Sequence, residues 1–303
     1  SGCNKSRFIF HVQSGKTLCA TRNGFPTVEV VVVDDGSDDG TWEWLRRRPY
    51  GIHPVRQDNA GPATARNRGV REASGDVVLF LGDDTVPEPG WLGEHLETHR
   101  VLGGDEPLAV LGYTGFPPDQ DGAFLRWINE YGAQFGYLLI DDAADVPFNF
   151  FYTSNVSLPR QFFLELGGFR EDFPAAAWED IELAYRAVER GMRFVYRPLA
   201  RTVHHHRIDP SGFARRQRVS GRSAAIFARL HPELAGFLGL EDASGSRARV
   251  PGRLELAAWT VMARLAVGLP GIVPTAVMER ALRGAYLRGV REGVAVGGGD
   301  GDG

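Results

Sequence analysis

Lysine and cysteine are nearly missing from this chain. Cys3, Cys19, Lys5 and Lys16 are the whole supply, and beyond Cys19 every long basic side chain is arginine. Two cysteines cannot build a disulfide framework or a cysteine metal cluster. The first 25 residues are therefore foreign in composition to the rest, and an altered start, a fused segment and a divergent segment all remain open. A basic surplus is also missing. Lys+Arg is 34 against Asp+Glu 38, for a net charge of −4, which argues against a general nucleic-acid binder. There is no uninterrupted apolar run of about 18 residues. The nearest stretch, 256–278, is broken by Arg264, Pro270 and Pro274 and reads as a packed or interfacial helix. Residues 7–12, "RFIFHV", are too short and lack the small-residue cleavage site of a signal peptide. "SGKT" is not a phosphate loop, because that motif needs glycine where Phe10 stands. No internal repeat is present.

What is present reads as a globular α/β chain. Its 303 residues, 43% hydrophobic and 24% charged, suit one large α/β domain with an appendage. Val28 to Val33 is a nearly continuous apolar run, the pattern of a strand covered on both faces. A short helix follows over Thr41 to Arg48, with Asp38 or Asp39 as its cap. "GIHPVRQ" is a weaker strand, and a helix opens after Gly61-Pro62. "DVVLFLGDD", 76–84, is a second buried strand, and "GWLGEHLETHRVL" the helix behind it. "LAVLGYTGF" reads as strand, 123–139 as an aromatic-rich helix, and "FNFFYTSNVSLP" as strand or loop. "RQFFLELGGF" is a helix stopped by Gly167-Gly168, "WEDIELAYRAVERGM" a helix ending at Gly191, and "RFVYRP" a last strand. This alternation predicts an open, mostly parallel sheet with helices on both faces.

The chemistry-bearing residues sit at the ends of these elements. Two buried strands end in paired carboxylates, Asp34-Asp35 and Asp83-Asp84. In an open α/β sheet the C-terminal strand edge is where ligands bind. Adjacent carboxylates repel unless a cation or donor groups offset them, and their oxygens suit Mg²⁺ or Mn²⁺. The plain alternative is a solvated turn, since "DDGSDDG" is turn chemistry in its own right. A third acidic feature, Glu179-Asp180, opens an amphipathic helix, where the helix dipole favours negative charge. A carboxylate there could also take a proton from an acceptor hydroxyl. Three histidines, 204–206, follow the last strand, and alternation on an extended segment lets His204 and His206 share a face.

Taken in order, "VEVVVVDDGSDDGT", "QDNAGPATARNRGVREASGDVVLFLGDDTVPEPGWL", "SNVSLPRQFFLELGGFRED" and "WEDIELAYRAVERGMRFVYRP" resemble the family-2 glycosyltransferases of GT-A fold, over roughly residues 26 to 207. The resemblance implies an inverting transferase that moves a sugar from a nucleotide-diphosphate donor to an acceptor hydroxyl, assisted by Mn²⁺ or Mg²⁺. It implies that Asp34 or Asp35, with Asp35 preferred, holds the nucleoside base. Asp83 would take the ribose or the metal, and Asp84 the metal with His204. Arg66 falls at a basic position near the nucleotide. Asp180 would be the general base, with Glu179 orienting the helix or the acceptor. Asn155 and Trp178 would lie on the acceptor side. Two departures stand out. Gly82 replaces the first acid of the metal motif, and the family's opening strand with its base-holding turn is not recognisable in residues 1–25.

The expected organisation is an atypical segment 1–25, a GT-A catalytic domain 26–210, a helical region 211–296 and a disordered tail 297–303, with a linker at 241–253. Expected partners are the sugar-nucleotide donor and a saccharide, lipid-linked or small-molecule acceptor, but no nucleic acid. The setting implied is bacterial glycan biosynthesis in the cytoplasm. Leu254, Ala258, Val261, Leu265 and Leu269 form an apolar stripe that could pack on the catalytic domain or lie on the inner face of the cell membrane. Two rival readings stay open: a catalytically impaired homologue that only holds a sugar nucleotide, and a nucleotidyltransferase on a related sheet.

Overall fold

The computed structural model describes residues 8–11, 28–47, 51–104, 106–120, 123–132, 134–244 and 275–297, with positions 254, 255, 257, 258 and 261. The chain divides into two compact units. Residues 1–118, 135–171 and 179–206 form one, and 119–134, 172–178 and 207–303 the other.

The first unit holds the sheet. Its strands are β1 Phe8–His11, β2 Val30–Asp35, β3 Ile52–Gln57, β4 Val77–Leu81, β5 Thr85–Pro87, β6 Leu108–Gly115, β7 Asn155–Pro159 and β8 Arg193–His204. Six run in the order β1-β4-β7-β6-β8-β5, and β2 pairs with β3. Pairs β1/β4, β2/β3 and β6/β8 are parallel. Pairs β4/β7, β6/β7 and β5/β8 are antiparallel. The sheet is thus mixed, because β7 runs against both neighbours and the short β5 runs against β8. Residues Phe8 to His11 belong to it, with Phe8 opposite Val77 and His11 opposite Phe80. The rest of segment 1–25, and residues 298–303, lie outside the described residues.

Apolar runs became the central strands for the expected reason. Val31, Val33, Val78, Leu79 and Phe80 are wholly buried. Phe80 meets Phe163 and Phe169 at 5.6 and 5.3 Å between ring centroids, a cluster whose truncation at Phe80 would cost about 3–5 kcal/mol. Helices α1 Thr41–Arg46, α2 Pro62–Glu72, α3 Trp91–Leu102, α5 Arg160–Glu165 and α6 Glu179–Val188 connect the strands. Helix α2 starts at Pro62 and buries Ala63, Ala65, Gly69 and Val70. Small residues there let the helix lie close to β2. The N-cap of α1 is Gly40, with φ of 85°, and no side chain caps the helix; Asp39, foreseen as the cap, stands one residue earlier and accepts from the Thr41 N–H at 3.0 Å.

Two expectations change in length. The helix foreseen over 123–139 is α4 Ala123–Glu130 only, with a single 3₁₀ turn at Tyr137–Leu139. Gly132 and Gly136 adopt φ of 96° and 89° between the two, a conformation that interrupts a right-handed helix. The strand read as "RFVYRP" is longer, running to His204, because a register shift at Gly112/Tyr113 absorbs Pro198 and its neighbours.

The second unit is helical. Helix α7 Pro210–Leu230 is capped by Asp209, which accepts from the N–H groups of Ser211 and Gly212. Short α8 Leu240–Ser244 takes up the start of the foreseen linker, and 245–253 lie outside the described residues. The last helix, α9 Thr275–Gly297, packs on α7. Glycines set that approach: a Cβ on Gly221 would fall 2.0 Å from the Tyr286 carbonyl oxygen, and one on Gly289 1.9 Å from that of Arg218. Arg218 and Arg222 both pair with Glu292, whose carboxyl their hydrogen bonds hold down at about 2. Trp178 packs among Phe227, Phe237 and Tyr286. Of the apolar stripe, Leu254, Ala258 and Val261 are exposed, while Leu265 and Leu269 lie outside the described residues. No helix of the described residues is long and apolar enough to cross a membrane.

Candidate active site

A chain of contacts in the sheet unit ties the foreseen acidic positions together. It begins at the end of β2. Asp35 accepts from Gln57 Nε2 at 2.8 Å, from the Ala60 N–H at 2.9 Å and from the Gly61 N–H at 2.9 Å, and so anchors the start of α2. Asp34 is fully buried. Its Oδ1 accepts from the Ser37 N–H at 2.9 Å, and Arg56 Nε stands 3.5 Å from Oδ2. Of the two carboxylates, Asp35 keeps 8% of its surface exposed and Asp34 none.

Helix α2 carries the chain onward. Arg66 Nη1 donates to Glu179 Oε1 at 2.5 Å, joining α2 to the first turn of α6. The guanidinium lies over the Phe169 ring at 5.6 Å. Its neighbour Asn67 is fixed from both ends, donating to the Phe169 carbonyl and accepting from the Phe169 N–H, each at 2.8 Å. Gly168 makes room for this, since a Cβ there would meet Asn67 Oδ1 at 2.5 Å. Arg66 was foreseen beside the nucleotide; the structure gives it Glu179 as its partner.

Asp180 stands one residue further along α6 and is partly exposed. Its Oδ1 accepts from the Ile181 N–H at 2.9 Å, and the Thr153 N–H points to Oδ2 at 3.5 Å. Burial pushes its carboxyl up to about 7, and the adjacent Glu179 charge adds to this, against the downward pull of Arg66 and the two N–H groups. The backbone at Trp178, just before, has φ of 73°, the one positive value at a non-glycine among the described residues. Trp178 itself packs in the helical unit's aromatic cluster.

Thr153 and Ser154 return the chain of contacts to the sheet, because the Gly82 N–H donates to the Ser154 carbonyl at 3.3 Å. Gly82 follows β4 and leads into Asp83 and Asp84, both half-buried. Gly82 stands where the resemblance implies an acid, and the space there is tight. A Cβ at Gly82 would lie 2.6 Å from Thr85 Oγ1, and Thr85 is fully buried opposite His204. Asp84 Oδ2 bonds His204 Nε2 at 2.9 Å, with His206 Nδ1 at 3.7 Å. Burial raises the Asp84 carboxyl, but the hydrogen bond from His204 and the charges of His204 and His206 outweigh it and hold it below its ordinary value. His204 is stacked between Phe116 and His206, each at 5.7 Å. His204 Nδ1 is buried without a hydrogen-bond partner. Among the described residues no group of three His, Cys, Asp or Glu side chains has metal-holding geometry.

Asn155 needs correction as an acceptor contact, for it is fully buried and spends both ends of its amide inside the fold. Its Nδ2 donates to the Ala200 carbonyl at 2.8 Å and the Tyr113 carbonyl at 3.1 Å. Its Oδ1 accepts from Trp91 Nε1 at 2.7 Å and faces His95 Nε2 at 3.0 Å. Ser157 Oγ extends the network to His95 Nδ1 and His99 Nε2 at 2.9 and 2.8 Å. Sequence reasoning missed this network; Trp91, His95 and His99 at helical spacing were its available signal. It also missed Phe169 beneath Arg66, and Thr153, which acts through its backbone and leaves no signal.

Residues 15–112 match the family model described as glycosyl transferase family 2. The chain is similar to the validoxylamine A glucosyltransferase of Streptomyces hygroscopicus subsp. jinggangensis, at 32% identity over 203 residues, 58% of this chain and 47% of that protein. It is also similar to the pre-mycofactocin glycosyltransferase of Mycobacterium tuberculosis, at 30% identity over 216 residues, 68% of this chain and 43% of that protein. The chain spans about half the length of the curated relatives it matches. Among solved structures it resembles the mannosyltransferase PcManGT from Pyrobaculum calidifontis in complex with GDP-Man and Mn²⁺, with TM-score 0.55 and 19% identity over 95% of this chain and 88% of that one. S. aureus TarS 1-349 in complex with UDP gives TM-score 0.51 and 15% identity over 97% and 92%. These likenesses show the GT-A fold.

Proposed function

Because the chain belongs to glycosyl transferase family 2, we propose that it transfers a sugar from a nucleotide-diphosphate donor to an acceptor hydroxyl with inversion at the anomeric carbon. The observation that carries this reading is the linkage of Asp180, through Thr153 and Ser154, to the β4 end that bears Asp83 and Asp84. It supports a base and a diphosphate site on one edge of the sheet.

In this reading Asp180 accepts the acceptor's hydroxyl proton. The freed oxygen attacks the anomeric carbon from the face opposite the diphosphate, and the bond to the departing diphosphate oxygen breaks. A base whose carboxyl is raised to about 7 is well matched to that proton near neutrality. Asp35, the more exposed of the first pair, receives the base of the nucleotide, and Asp83 the ribose. Asp84 and His204, one carboxylate and one imidazole, would hold a divalent cation, whose charge would offset that of the leaving diphosphate. The PcManGT complex, which contains GDP-Man and Mn²⁺, supports the choice of Mn²⁺. Trp178 is kept as a contact for the acceptor, of saccharide, lipid-linked or small-molecule type. Exposed Leu254, Ala258 and Val261 support contact with a membrane surface, which liposome flotation tests.

Incubation with UDP-, GDP- and dTDP-hexoses and Mn²⁺ tests the reading. The wild type releases nucleoside diphosphate from one donor class, and Asp180→Asn lowers that release by about 10²–10⁴-fold. Equal release by Asp180→Asn would remove the assigned base.

A further inference from the structure

Charge is unevenly divided along this chain. Residues 207–297 hold fourteen arginines against seven Asp and Glu, although the whole chain carries a net charge of −4. The imbalance is sharpest on α7, which has five arginines in 21 residues and no acidic side chain. Their spacing gathers them. Arg215, Arg218, Arg222 and Arg229 stand at i, i+3, i+7 and i+14, positions that share one face of a helix, with Arg216 at its flank. The opposite face carries Gly221, Ala224 and Ala228, all buried, and Gly221 meets α9 there. The arginine face is open: Arg215, Arg216, Arg222 and Arg229 are exposed.

Pairing within the fold does not consume this charge. Arg218, Arg222 and Arg288 all reach Glu292, so three guanidiniums share one carboxylate. Among the described residues no carboxylate pairs with Arg215 or Arg216. Apolar side chains stand between the arginines. Val219, 37% exposed, and half-buried Ile226 fall on the same face, at i+4 and i+11 from Arg215. A polyanion in solution answers only the charge. A lipid headgroup layer answers the charge and takes up the apolar side chains beneath it.

Resting on the membrane contact read from Leu254, Ala258 and Val261, we propose that the arginine face of α7 docks the helical unit on an anionic lipid surface, with lipid phosphates meeting the guanidiniums. The apolar contact alone would bind any bilayer; the arginines make the choice of an anionic one.

Flotation of the full chain with vesicles tests this, independent of turnover. Two vesicle types are compared, phosphatidylcholine alone and phosphatidylcholine mixed with phosphatidylglycerol. The protein is expected to float with the mixed vesicles and much less with the neutral ones. Raising salt from about 0.1 M to about 0.5 M should release it, because the screening length shrinks. Arg215→Gln/Arg216→Gln leaves the pairs with Glu292 in place and is expected to weaken binding about 25-fold, about fivefold for each arginine. Binding to the mixed vesicles that is unchanged in this variant, or unchanged by salt, overturns the proposal. Equal binding to both vesicles, lost in Leu254→Ser/Val261→Ser, also overturns it but leaves the apolar membrane contact standing. No binding to either vesicle removes both. Binding to a single-stranded RNA oligonucleotide with none to vesicles would make the face a nucleic-acid contact and overturn the proposal as well.

Discussion

Asp84 Oδ2 and His204 Nε2 meet at 2.9 Å although 120 positions separate them in sequence. The contact exists because β5 returns antiparallel along β8, setting Thr85 opposite His204. A carboxylate and an imidazole so joined can exchange their mutual hydrogen bond for a shared cation. Asp84→Asn and His204→Ala are each expected to weaken Mn²⁺-dependent nucleotide binding by at least about tenfold. Binding measured without metal should change much less. Calorimetry with and without Mn²⁺ checks both.

The raised Asp180 carboxyl gives a pH prediction with a definite sign. A base works when deprotonated, so turnover should climb as pH rises through about 7 and then level off. A pH–rate profile of donor turnover reads this directly. A plateau already reached by pH 5 would contradict it.

Gly82 is expected to resist introduction of the first acid that the resemblance implies. Gly82→Asp places a Cβ 2.6 Å from Thr85 Oγ1, and Thr85 is fully buried, so a side chain must shift within the packed interior. The variant should lose about 1–3 kcal/mol of stability in urea unfolding, the range for overpacking. Thr85→Ala introduced with it should recover part of that loss.

The buried histidines predict acid sensitivity. Burial lowers His95 to about 3 and His99 to about 4, so both stay neutral in the folded protein while the unfolded chain takes up protons below about 6.5. Where the unfolded state binds more protons, stability rises with pH. Stability should therefore fall on acidification from pH 6.5 toward 4, by up to about 1.4 kcal/mol per pH unit for each histidine. His99→Gln should flatten the slope by one such share. Identical slopes for the two proteins would show that His99 titrates alike in both states.

The sequence disclosed the strands whose burial is complete. Val30 to Val33 and Val78 to Leu81 are apolar throughout, because both faces are covered. It disclosed the carboxylates as well, since charge at the end of such a strand stands out. It did not disclose β5, three residues long and defined only by its pairing with β8. The Arg66–Glu179 pair spans 113 positions, and no local pattern announces a partner at that distance. Asn155 misled for the same reason: a polar residue in a family motif looks like a ligand contact until its buried partners are seen. The break of the 123–139 helix was written in Gly132 and Gly136, but the aromatic periodicity around them spoke louder.

The most direct test of the account is calorimetric titration of the protein with UDP, GDP and dTDP, each with and without Mn²⁺. The account predicts that one nucleotide binds, that Mn²⁺ strengthens it, and that Asp84→Asn abolishes the strengthening. Absence of binding by all three to a folded sample, or binding indifferent to both Mn²⁺ and Asp84, would contradict it.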